Sequence, residues 1–261
     1  MRLRLLICAL LAAGCPAGLE EQSHVSKLRV LGVRADPPEL VLDPDAGLPA
    51  ATLTALAVTP AGNADAVRFA ICTQIGTPSP TLPCPGDAGF DLPEAGVFSA
   101  RLDLSDPRIV AAALELDGGT LDSLDEGVAL IVGFTATAGE ERLDGFLTIT
   151  LRSPLHGPAG ANPVITALQI AEPVHAGETV RLTPITAPKD DPSKKYVFSF
   201  FATGGSISSL HSTDITGSGQ PAPVWVEWTA PSTPGPVRLW SVVRDGRGGT
   251  GWIEKDIDAG Q

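Results

Sequence analysis

The chain has 261 residues, 43% of them hydrophobic and 18% charged, with 30 Asp+Glu against 18 Lys+Arg for a net charge of −12. That apolar fraction excludes a disordered polymer. The acidic balance excludes nucleic-acid binding and electrostatic docking on anionic lipid, both of which need clustered cations.

In chain order, Arg2 and Arg4 precede an uncharged apolar run, Leu5 to Ala13, and Leu11-Ala12-Ala13-Gly14-Cys15 sets a cysteine directly after small residues. The run is shorter than the roughly 20 apolar residues that a membrane span requires, so a cleavable leader is expected. These residues resemble the lipobox of bacterial lipoproteins, with Ala12 standing where that family more often has Leu. The resemblance implies a signal peptide over 1–14 and a lipidated Cys15 that anchors the chain in the bacterial cell envelope, at the outer membrane. Two or more acyl chains hold a protein on a bilayer stably, whereas one does so only marginally. An ordinary secretory signal cut near Ala17 and a cytoplasmic chain with an apolar start are the competing readings. With Arg2 and Arg4 gone, 16 bases face 30 acids.

Residues 15–26 are polar and without period, and read as a tether of roughly 35 Å at full extension. From Lys27 the chain alternates short apolar runs with Pro, Gly and Asp, the pattern of an all-β domain over 27–152. Pro37-Pro38 forces an extended turn, because proline lacks a donor and restricts its predecessor. Val67, Phe69 and Ile71 share one face of a strand, with Arg68, Ala70 and Cys72 on the other. Phe98, Ala100, Leu102 and Leu104 alternate against Ser99, Arg101 and Asp103. One short helix interrupts the pattern: Asp106 caps it, Pro107 opens it and Gly118-Gly119 ends it, with Ile109, Ala113 and Leu116 on one face. Val128 to Ala138 and Leu143 to Leu151 flank Gly139-Glu140-Glu141 as a hairpin.

Four cysteines are present, Cys8 in the leader and Cys15 at the lipid position. Cys72 and Cys84 remain as a pair in an oxidising compartment and are expected to form a disulfide across a Pro-rich loop. A metal pair or redox centre is the alternative, but the spacing is wrong for CxxC and no His lies nearby.

Residues 153–162 form a linker with three Pro and two Gly through Pro163, and a second domain follows over 163–258. All four Trp and the single Tyr lie in it. Tyr196, Phe198 and Phe200 share a face, as do Val224, Val226 and Trp228, and Val237, Leu239 and Val243. Gly204 to Pro223 is turn-rich. The segments Gly177-Glu-Thr-Val180, Tyr196-Val-Phe-Ser-Phe-Phe-Ala-Thr-Gly-Gly205, Val226-Glu-Trp-Thr-Ala-Pro231 and Trp240-Ser-Val-Val-Arg-Asp-Gly-Arg-Gly-Gly249 resemble bacterial Ig-like domains of the PKD type. The likeness covers Asn162 to Asp258, with Phe198 in place of the usual Trp. The opening Val30 to Pro38 is similar to predicted surface lipoproteins that carry such domains in tandem. The implied fold is mostly β: two Ig-like β-sandwich domains in tandem, with one short helix in the first.

No catalytic constellation emerges. HExxH is absent, and His24, His156, His175 and His211 are scattered. Gly204-Gly205-Ser206-Ile207-Ser208 is not a nucleophile elbow, because loop follows it instead of a helix. Gly246-Arg247-Gly248-Gly249 lies between two strand-like runs and reads as a hairpin. Asp117, Asp122, Asp125 and Glu126 are weak calcium candidates without an EF-hand spacing, and Asp245 with Asp256 and Asp258 is a fainter one. Trp228 is in phase with the core. Trp225, Trp240 and Trp252 are out of phase and mark either a binding face or an interface with the first domain.

The expectation is therefore a lipid-anchored envelope protein that is not an enzyme and needs no cofactor, serving as a binding or structural module. Its partners are the membrane, through the lipid, and an envelope protein or polysaccharide. Alternatives are an accessory subunit of an envelope complex, or a calcium- or carbohydrate-binding surface protein.

Overall fold

The structure is a computed structural model and describes residues 21–43, 45, 47–74, 84–85 and 88–260, so the leader and Cys15 lie outside the described residues. Within them the fold is two β-sandwiches in tandem. The first contains β1 (Arg29–Asp36), β2 (Glu39–Val41), β3 (Ala50–Thr59), β4 (Gly62–Asn63), β5 (Ala66–Cys72), β6 (Gly89–Asp91), β7 (Glu94–Gly96) and β8 (Ser99–Asp103), then helix α1 (Pro107–Asp117), β9 (Val128–Ala138) and β10 (Glu141–Arg152). The second contains β11 (Ile165–Gln169), β12 (Val174–His175), β13 (Thr179–Thr186), β14 (Val197–Ala202), β15 (Ser206–Ile207), β16 (His211–Thr213), β17 (Val226–Thr229), β18 (Gly235–Arg244) and β19 (Thr250–Gly260).

The two sandwiches share the order of their long strands and differ in the short ones. One sheet of the first runs β1-β3-β8-β7, with β4 beside β3, and the other runs β2-β10-β9-β5-β6; the second has β11-β13-β17-β15 against β12-β19-β18-β14-β16. In each domain the opening strand is split between the two sheets. β2 pairs in parallel with the last strand β10, and β12 does the same with β19. The crossing falls at an acid–proline pair, Asp36-Pro37 and Glu172-Pro173, both cis. Proline has no N–H for a ladder, so pairing with the first sheet stops there and the chain is free to join the second. This is the Ig-like arrangement, in which two antiparallel sheets close over one core.

Alternation builds each core. In β8, Ala100 and Leu102 are buried while Arg101 faces solvent, and they meet Leu53, Phe69, Leu130, Val132 and Leu151 from neighbouring strands. The second core gathers Leu182, Phe198, Phe200, Trp228, Leu239 and Val243. Each such side chain contributes roughly 1.5–3 kcal/mol by leaving water. Gly205 is required beside Trp228: its φ is +78°, and a Cβ there would meet Thr229 O at 2.2 Å. The indole Nε1 of Trp228 donates to Gly204 O at 3.0 Å, which satisfies the one polar atom of a fully buried ring.

Helix α1 forms where expected. Asp106 Oδ1 accepts the Arg108 N–H at 3.0 Å, and Gly118 adopts the left-handed cap with φ 61°. Ile109, Ala112 and Ala113 are its buried face, set against β9 and β5. Ala112 takes the place predicted for Leu116, which is half-buried. The β9–β10 hairpin closes through Gly139 and Glu140, with Ala138 opposite Glu141.

The outward face of β5 is covered too. Cys72 is joined to Cys84, and with Ala70 the pair forms a small buried cluster against Ile131. Gly89 lies directly beneath, where a Cβ would meet Ile71 O at 2.3 Å and Cys84 Sγ at 2.9 Å.

Candidate functional site

The out-of-phase tryptophans part company. Trp240 on β18 is fully buried, and Trp252 on β19 is half-buried beside it; both lie on the outer face of the β12-β19-β18-β14-β16 sheet. That face packs on the first sandwich. Leu31, Leu56 and Val58 from β1 and β3 join Trp240 and Val242 in one cluster, with Phe201 and Trp252 at its edge. Gly32 lies against the Trp252 ring: an ideal Cβ there would be 3.4 Å from Trp252 Cε3, in contact with it. Trp240 and Trp252 therefore do not form an exposed binding face with Trp225. They are interdomain packing, because each sits on a strand whose second face is covered by the neighbouring sandwich.

Polar ties fix the junction. Asn162 Nδ2 donates to Ala35 O at 2.8 Å and its Oδ1 accepts the Thr250 N–H at 3.0 Å, joining β1 to β19. Arg244 Nη2 donates to Leu31 O at 2.7 Å, and the Arg34 guanidinium lies 4.7 Å from the Trp252 ring centre. Burial lowers the Arg244 pKa from its ordinary value. Arg152 holds the linker by donating to Gly157 O and Pro158 O, both at 2.9 Å, while pairing with Glu39 at 2.7 Å.

Residues 21–26, expected as part of a free tether, are instead built into this junction. Val25 is fully buried in the interdomain cluster and its N–H donates to Ala202 O at 2.8 Å. The Ala202 N–H donates to Ser23 O at 2.9 Å, and Glu21 Oε1 accepts the Ile207 N–H at 3.3 Å. The same segment then enters the first domain, where the Leu28 N–H donates to Glu141 Oε2 at 2.6 Å. It is a strap across both sandwiches. The polar sequence concealed this because most of its bonds use backbone groups.

The acidic candidates of the first domain lie at the end of α1 and on the turn after it. Asp122, Asp125 and Glu126 are exposed on the 3-10 turn Leu121–Asp125 and its cap, after Asp117 ends α1. Among the described residues, no group of three or more His, Cys, Asp or Glu is arranged to hold a metal ion. Asp245 is structural: its Oδ1 accepts the Arg247 and Gly249 N–H groups, both at 2.8 Å, and Oδ2 pairs with buried Lys194 at 3.1 Å. This closes the β18–β19 turn. Lys194 also pairs with Asp190 at 3.1 Å. Burial pulls the lysine pKa down, but its bonds to Asp190 and Asp245 outweigh that and leave it raised. Asp256 pairs with Arg238 on the adjacent strand.

One Ser–His contact escaped the sequence. Ser199 on β14 and His211 on β16 are 3.0 Å apart through Oγ and Nδ1. Ser199 is only 1% exposed and the Arg244 Nη1 donates to the same hydroxyl, so the contact is a cross-strand tie without room for a substrate.

Trp225, 37% exposed, precedes β17 on the other sheet of the second sandwich. The Arg181 guanidinium from β13 stacks on it, 4.1 Å from the ring centre. Arg181 also borders an open trough of about 600 Å³ along β11 and β13.

No family model matches the chain, and no curated protein matches it. Among solved structures, the D0-D1 domain of Intimin is similar at 16% identity over 89% of this chain and 99% of that one, with a TM-score of 0.27. The Clostridium thermocellum CbhA fibronectin(III)-like modules match at 13% identity over 88% and 95%, TM-score 0.29. The Yersinia pseudotuberculosis adhesin InvE matches at 13% over 92% and 61%, TM-score 0.26. The Ig-like assignment rests on the strand order of the two sandwiches and not on these likenesses.

Proposed function

We propose that this chain is a lipid-anchored protein of the bacterial cell envelope, held at the outer membrane through Cys15, that serves as a non-catalytic binding or structural module. The observation that carries the reading is the sealed junction. Trp240, Val242, Leu31, Leu56 and Val58 form a continuous apolar seam, and the strap at Val25 lies in the same seam. A seam of this kind makes two small domains into one stiff body, which suits a spacer or a presenting arm and gives an enzyme no evident advantage. In this reading the second sandwich is of the PKD type, and the anchor enters directly at the strap. The body then stands close to the bilayer, since few residues separate Cys15 from Glu21.

An accessory subunit, the rival reading, needs an exposed partner surface, for which the three out-of-phase tryptophans are the candidates. Two of those are spent in the junction, which leaves the spacer or presenting arm favoured. Cys15→Ser tests the anchor: the altered chain is expected in the soluble fraction, and sedimentation with membranes as before would refute lipidation. Mass spectrometry of the mature N-terminus gives the independent check.

A further inference from the structure

On the outer face of the β11-β13-β17-β15 sheet, Arg181 makes no ion pair among the described residues. Arg68, Arg101, Arg152, Arg238 and Arg247 each hold a carboxylate. Arg181 does not: among the described residues its one partner is the Trp225 ring, although Glu227 lies opposite it in the β13–β17 register. The trough beside it is lined by Gln169, Thr183 and Lys255 together with apolar Ala167, Leu168 and Ile170, and no acidic side chain lines it. In a chain with 30 acids and 18 bases, such a lining is unexpected. Lys255 pairs with Glu172, so the unspent donors belong to Arg181.

We infer that this face binds a carboxylated saccharide, a polymer bearing uronic-acid rings. The contact with Trp225 restrains the guanidinium and uses its face, and its N–H groups have no carboxylate partner among the described residues. Those N–H groups match a carboxylate with two parallel hydrogen bonds. Gln169 and Thr183 supply an amide and a hydroxyl for ring hydroxyls, and half-buried Ala167 and Ile170 with exposed Ala171 offer apolar surface to the C–H face of a sugar. A protein partner fits less well. The large exposed apolar groups on or beside the strands of this sheet are Val164, 54% exposed, and Trp225 and Ile185, each 37% exposed, too few for the desolvated centre that protein interfaces build. The inference rests on the binding-module reading and names its ligand class.

The test is titration calorimetry of the full chain in detergent with oligogalacturonate, a neutral galactose oligomer of equal length, and poly-glutamate. Oligogalacturonate is expected to bind, weakening as salt rises, and the neutral oligomer is not. Arg181→Gln should weaken binding at least tenfold with an unchanged melting temperature, because its head group is exposed, and Trp225→Ala should weaken it several-fold with a modestly lowered one. Thr183→Val, which leaves the stack intact, should weaken it less. No binding to oligogalacturonate, or equal binding by Arg181→Gln, would overturn the proposal. Preference for poly-glutamate would overturn it in favour of an acidic protein. A negative titration alongside an intact junction in solution leaves the module reading standing, whereas a loose junction contradicts that reading itself.

Discussion

The Val25 N–H donates to Ala202 O across 2.8 Å, tying a residue upstream of the first sandwich to the end of a strand in the second. Ala202 closes β14, and its own N–H is taken by Ser23 O. The chain therefore touches its second domain before it begins to build its first. A load applied at Val25 therefore reaches both sandwiches through this contact.

Trp240 should dominate the junction. Its ring is fully buried between the sandwiches, and truncation leaves a large cavity in a seam that both domains line. Trp240→Ala is expected to cost about 3–5 kcal/mol. Calorimetry should show one cooperative transition for the native chain and two for the variant, because each sandwich keeps its own core. A single transition in the variant would mean that the seam does not couple the domains.

The Lys194 cluster predicts a specific sensitivity. Lys194→Met leaves the Asp245 carboxylate, 1% exposed, without its cation and should destabilise the second domain by about 3 kcal/mol. Chemical denaturation followed by tryptophan fluorescence measures it, and a change within error would show that the turn hydrogen bonds alone hold Asp245.

The same cluster sets a pH window. The Lys194 bond holds the Asp190 carboxyl below its ordinary value of 3.8, so the unfolded chain binds more protons near that pH. This contribution to stability is complete above about pH 4 and is lost as pH falls through the lowered pKa. Lys194, raised above 10.5, contributes fully below that value and loses its share as pH climbs through the raised pKa. A melting-temperature series should fall at both ends, and Asp190→Asn should flatten the acid limb. An acid limb of equal slope in that variant would place the effect elsewhere.

Opening the Cys72–Cys84 bond should cost about 2–3 kcal/mol, since the closed loop is short. The paired Cys72→Ala, Cys84→Ala chain should melt lower with its fold retained, because β5 keeps its inner face of Val67, Phe69 and Ile71. Non-reducing peptide mapping of the native chain should find the two cysteines joined.

Much of the fold was legible where period and burial coincide. Ala100 and Leu102 in β8 and Phe198 and Phe200 in β14 alternate cleanly because one face meets a core. Asp106, Pro107 and Gly118 marked α1 through capping chemistry that is local in sequence. The two-residue strands β4, β12 and β15 were illegible, since two residues carry no period. The strap was hidden for a different reason: Glu21 to Lys27 contains one apolar residue, Val25, and docks through its backbone. Trp240 and Trp252 announced a second buried face by falling out of phase, but the surface covering it comes from distant strands. Asp245 resembled a cation ligand because its real partner, Lys194, stands far away in sequence. Arg181 gave no sequence signal, as its stacking on Trp225 depends on the β13–β17 register.

Small-angle X-ray scattering of the Cys15→Ser chain, with and without Val25→Asp, tests the rigid-body claim most directly. The parent should give a compact profile whose maximum dimension matches two docked sandwiches. A buried carboxylate at position 25 should separate them, lengthening the particle while circular dichroism stays unchanged. Identical profiles for the two chains, or an extended and flexible parent, would contradict the account.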